Sequence, residues 1–138
     1  MSFESSVHEL KNKVRELLLL ASELMDEEMY TMAVHNISLA LYGFLESLHL
    51  ELYGITPEPS KLKNLIVTLA PSENLERTLR RYVEENNELF EKLELAYKIS
   101  LLSKEYSREE AQELLEFVNK TIRFLTELKS RIFKELSQ

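Results

Sequence analysis

No cysteine occurs among the 138 residues, and there are only two glycines and three prolines. Without cysteine there is no disulfide, no thiolate zinc site and no cysteine nucleophile. A metal site built from carboxylates or histidines stays open on composition alone. So few backbone breakers leave little room for hairpins or long loops, and they point to helices joined by short turns. Two glycines cannot build a glycine-rich phosphate cradle. Long hydrophobic runs are missing too. The apolar run Leu17–Ala21 is far too short to span a bilayer, and Met1–Asn12 lacks the apolar stretch of a signal peptide. A cytoplasmic protein with no membrane contact is expected. Positive charge is also in short supply: 17 basic against 24 acidic residues give a net charge of −7. That balance disfavours unspecific nucleic-acid binding, which depends on neutralising phosphates.

What is present is helical periodicity. The spacing predicts an all-α antiparallel bundle of about five helices, four long and one short, in one domain over 1–138. The first helix runs from about Ser5 to Met25 on Val7, Leu10, Val14, Leu17, Leu18, Ala21 and Leu24. Asp26, Glu27 and Glu28 follow, placed to cap the next helix. The second helix, Met29 to Tyr53, is apolar on most of its circumference, hence central, and Gly54 ends it. A short third helix covers about Ser60 to Ala70. The fourth, from Ser72 to about Leu101, would be a rod of roughly 45 Å, with Asn86 inside its apolar stripe. The fifth opens on the capping-box spacing Ser107 to Glu110 and runs to Leu136. Phe117, Phe124 and Leu128 make that helix apolar on a second side. Together with Asn86 they are the expected dimer interface.

Two constellations carry candidate chemistry. On the second helix His35, Tyr42, Glu46, His49 and Tyr53 share one face. Tyr42, Glu46 and His49 are the candidate ligand-binding residues there, against the plainer reading of a solvated or interface stripe. His35 and His49 are about 21 Å apart at helical rise, too far for one site. Arg77, Arg80 and Arg81 form a basic cluster suited to phosphate. The plainer reading pairs Arg80 with Glu84 and Arg81 with Glu85 at helical spacing. Glu46 to His49 is the only Glu-x-x-His, where a di-metal bundle needs two. No catalytic residue, metal site or cofactor is expected.

The run Leu20-Ala21-Ser22-Glu23-Leu24, an acidic turn, and Tyr30 followed by Ala33-Val34-His35-Asn36 opens a longer pattern. It continues through Leu52-Tyr53-Gly54-Ile55-Thr56-Pro57, a short helix with Leu62, Leu65 and Leu69, then Tyr97 and Tyr106-Ser107-Arg108-Glu109-Glu110-Ala111. From about Val14 to Leu128 this layout resembles the HEPN family of small helical domains, named for nucleotide binding. The resemblance implies a homodimer, and a small nucleotidyltransferase as partner in a toxin–antitoxin-type pair. Ribonuclease members carry an arginine followed four to six residues later by a histidine, near the inner end of the last two helices. Here no histidine lies beyond His49. Where minimal members show Tyr-x-x-x-Arg-Tyr, this chain reads Tyr97-Lys98-Ile99-Ser100-Leu101-Leu102, and a frequent Glu and Lys pair appears as Tyr42 and Glu46. The leading expectation is a non-catalytic HEPN-like domain acting by association. The alternative is a nucleotide- or RNA-binding module using Arg77, Arg80 and Arg81. A helical enzyme with an unrecognised site ranks third.

Overall fold

In a computed structural model, residues 2–98 and 104–138 are described, and they form six helices. These are α1 (Phe3–Asp26), α2 (Tyr30–Tyr53), α3 (Leu62–Val67), α4 (Glu73–Glu85), α5 (Asn87–Tyr97) and α6 (Arg108–Leu136). The all-α bundle follows the periodicity, and no strand occurs among the described residues. The central helix is α2: α1 packs along it on one side, α5 and α6 on others, and α3 near its C-terminal end. Ala33, Val34, Ile37, Ala40, Leu41 and Leu45 on α2 are fully inaccessible. Gly43 lets α1 come close, since a Cβ there would meet Val14 Cγ2 at 3.3 Å.

Three expectations change. The acidic turn does not cap α2, whose first turn carries no side-chain cap. It ends α1 instead. Glu28 sits at φ 62°, Glu28 N–H donates to Met25 C=O at 3.0 Å, and Met29 N–H to Leu24 C=O at 2.8 Å. That bonding is a Schellman closure, with glutamate where glycine is usual. Gly54 ends α2 as read, at φ 72°.

The single rod expected over 72–101 is two helices. Asn86, at φ −119° and ψ 23°, lies between α4 and α5. Its Nδ2 donates to Tyr82 C=O at 2.8 Å, serving a carbonyl that the broken ladder leaves over. The far end of that expected helix, 99–101, lies outside the described residues.

The second apolar side of the last helix is partly covered from within. Phe117 is only 5% exposed. Tyr82 stacks on Phe124 at 4.3 Å between ring centres, and Phe90 meets Phe117 edge-on at 5.0 Å. The Tyr82 hydroxyl and Thr121 Oγ1 are 2.7 Å apart inside this cluster. Leu128 packs, partly buried, against the same core. Breaking the helix at Asn86 lets α4 and α5 each bring an aromatic ring onto α6. Phe117 is therefore withdrawn from any interface, Phe124 and Leu128 already pack within the chain, and the Asn86 amide is held by its own helix.

Candidate functional site

The polar face of α2 binds backbone. His35 Nδ1 lies 2.8 Å from Ala96 C=O, Ser38 Oγ donates to Leu93 C=O at 2.6 Å, His49 Nε2 lies 2.8 Å from Leu65 C=O, and Tyr53 donates to Leu69 C=O at 2.7 Å. The carbonyls of Ala96 and Leu65 belong to the last turns of α5 and α3, where helices leave acceptors over. Leu93 lies just before that turn of α5, and Leu69 lies in the turn after α3. A carbonyl only accepts, so His35 carries a proton on Nδ1 and His49 one on Nε2. Both rings are buried. The third histidine, His8, is exposed on α1, with Nε2 3.1 Å from Asn12 Nδ2.

Tyr42, Glu46 and His49 do not form one site. His49 is held by α3. Glu46 turns toward the start of α1, in a groove with Phe3, Leu10 and Lys13. Tyr42 opens onto a different groove of about 530 Å³ between α2, α3 and α5, shared with Lys61, Lys63, Glu91, Glu94 and Tyr97. Its ring lies 4.1 Å from that of Tyr97 at a tilt of 33°. Burial, then the Glu94 carboxylate and Tyr97, pushes the Tyr42 hydroxyl up to about 12, against a hydrogen bond from the Leu62 backbone. The phenol is thus un-ionised at neutral pH and remains a hydrogen-bond donor.

Arg77, Arg80 and Arg81 are exposed on α4, away from that groove's walls. Arg77 donates to Asn74 at 3.2 Å, and Arg80 pairs at 3.6 Å with Glu76, one turn before it, in place of the expected Glu84 one turn after. No described group of three or more His, Cys, Asp or Glu residues converges as a metal site would need. Of the tyrosine motif, 99–102 lies outside the described residues.

Two features were missed in the sequence. Glu51 takes Lys11 of α1 and Lys129 of α6, each at 3.2 Å, and so ties three helices together. Glu94 brings a carboxylate to the Tyr42–Tyr97 pair. The signal for the second was there: Glu94 and Tyr97 are three residues apart on one helix, hence neighbours. What the sequence could not give was their meeting with Tyr42.

Comparisons of the chain with family models, with curated proteins and with solved structures find no match in any of the three.

Proposed function

We propose that the protein is a non-catalytic, HEPN-like helical module that works by association, as a homodimer able to dock onto a small nucleotidyltransferase in a toxin–antitoxin-type pair. The resemblance supplies the kind of partner. The observation that carries the non-catalytic part is the engagement of the buried histidines. General acid–base work needs a group free to exchange a proton with substrate, whereas His35 and His49 donate to helix carbonyls inside the core. Incubation with structured and single-stranded RNA tests this. The expected result is intact RNA. Cleavage lost specifically in His8→Ala or Arg108→Ala overturns it.

The association surface that fits best is the outer face of α1, in place of the aromatic residues of α6. Leu19 is 63% and Leu20 42% exposed there. Arg15 and Glu23, both exposed, stand one turn to either side of Leu19 on α1. An antiparallel crossing of two copies at Leu19 sets Arg15 of each against Glu23 of the other. Arg15→Glu is expected to weaken the dimer, and Arg15→Glu with Glu23→Arg to restore it. Equal self-association in all three chains contradicts the crossing. The alternative reading, nucleotide or RNA on Arg77, Arg80 and Arg81, has less behind it. Two of the three arginines have neighbours on their own helix, and no aromatic ring contact involves α4's exposed side among the described residues.

A further inference from the structure

In the groove between α2, α3 and α5, one atom has incomplete bonding. Glu94 Oε1 is buried and has no hydrogen-bond partner among the described residues. A buried carboxylate oxygen without a donor is costly, and turning the Glu94 carboxylate toward the groove it lines, where a ligand supplies N–H donors, removes that cost. Beside it stands the Tyr42–Tyr97 pair. Tyr97 is 43% exposed, so part of its ring remains open.

A carboxylate next to an open aromatic ring suits a planar cation. A guanidinium gives N–H groups to the oxygen and its face to the ring. It is also more weakly hydrated than an ammonium, so it enters a half-buried site with less loss. The opposite charge faces the ligand's other end. Lys63 is engaged by Asn87 at 3.0 Å and Glu91 at 3.6 Å, while Lys61 and Lys98 are exposed on the groove's lining. Two exposed ammonium groups call for an anion.

We propose that this groove binds arginine, either the free amino acid or the carboxyl-terminal residue of a peptide, with its guanidinium at Glu94 and Tyr97 and its carboxylate at Lys61 and Lys98. The inference stands apart from the association reading, because it uses neither α1 nor a second copy.

An NMR titration of the full-length chain tests it, with L-arginine, agmatine, L-citrulline and an Ala-Ala-Arg tripeptide as probes. Arginine or the tripeptide is expected to bind with a Kd of about 1 mM or tighter, the range for a ligand of this size. Citrulline keeps the shape and lacks the charge, and is expected to bind at least ~10-fold more weakly. Agmatine lacks the carboxylate. It should bind more weakly than arginine to the native chain and equally to the Lys61→Ala, Lys98→Ala double variant. Glu94→Gln should remove binding with its thermal melt retained. If that variant does not fold, Tyr97→Ala takes its place, and the citrulline comparison on the native chain decides by itself. Tighter binding of the tripeptide identifies a chain end as the ligand, and tighter binding of free arginine identifies the amino acid. No shift with either at ~10 mM, ten times the expected Kd, overturns the proposal. So does citrulline binding as well as arginine, or arginine binding unaffected by Glu94→Gln.

Discussion

Glu28 holds a backbone conformation that side chains disfavour, because its position between α1 and α2 needs φ near +60°. The strain is of order 1 kcal/mol for a non-glycine residue. Glu28→Gly is expected to raise stability by about 0.5–1 kcal/mol, read as a higher Tm, with helix content unchanged. A lower Tm would mean the glutamate side chain contributes more than its backbone loses. The tyrosines give a pH prediction. Burial raises Tyr42, Tyr53, Tyr82 and Tyr106 above the ordinary value of 10.0. The neutral phenol is the form that fits the fold. Its contribution is complete below pH 10 and is lost as pH rises toward about 12, the Tyr42 value. Absorbance at alkaline pH should show these phenols ionising together with loss of helix, rather than before it. At this scale the sequence was half readable. The face shared by His35, His49 and Tyr53 follows from helical spacing alone. That it meets carbonyls of α3 and α5 depends on which helices pack beside α2, and no spacing within α2 carries that.

The break between α4 and α5 shows where periodicity runs out. Leu75, Leu79, Tyr82 and Val83 lead into Phe90, Leu93 and Ala96 with almost no change of phase. The junction holds Asn86 and Asn87 rather than glycine or proline, so nothing in the pattern marks it. Asn86→Ala removes the bond to Tyr82 C=O and is expected to lower stability by about 1 kcal/mol, with the oligomeric state unchanged. A stability gain would show that the amide is instead a burden on a continuous helix. The starts of α4 and α6 were legible because their chemistry is local. Ser72 and Ser107 accept from the backbone N–H of Leu75 and Glu110, and Glu110 completes its capping box. That bonding holds the Glu110 carboxyl below its usual range.

In the whole molecule, packing decides which apolar residues remain for a partner. Phe117, Phe124 and Leu128 read as a second face of one helix, yet Tyr82 of α4 and Phe90 of α5 pack on Phe117 and Phe124 within the chain, and Leu128 is partly buried against the core. Phe124→Glu would set a carboxylate against the Tyr82 ring, so it is expected to destabilise the fold by about 2–4 kcal/mol. Denaturant unfolding measures this. Dissociation at unchanged stability would return Phe124 to the surface. The outer leucines of α1 escaped notice because a run of four leucines has no phase: Leu17 and Leu18 face inward, Leu19 and Leu20 outward. The most direct test of the association reading is the mass of the chain in solution, by light scattering from about 5 to 200 µM, the range in which a small apolar contact holds. The native chain should approach twice its 16.2 kDa mass, and Leu19→Glu with Leu20→Glu should stay at the single mass with an unchanged melt. A native chain that remains single throughout that range would contradict the account.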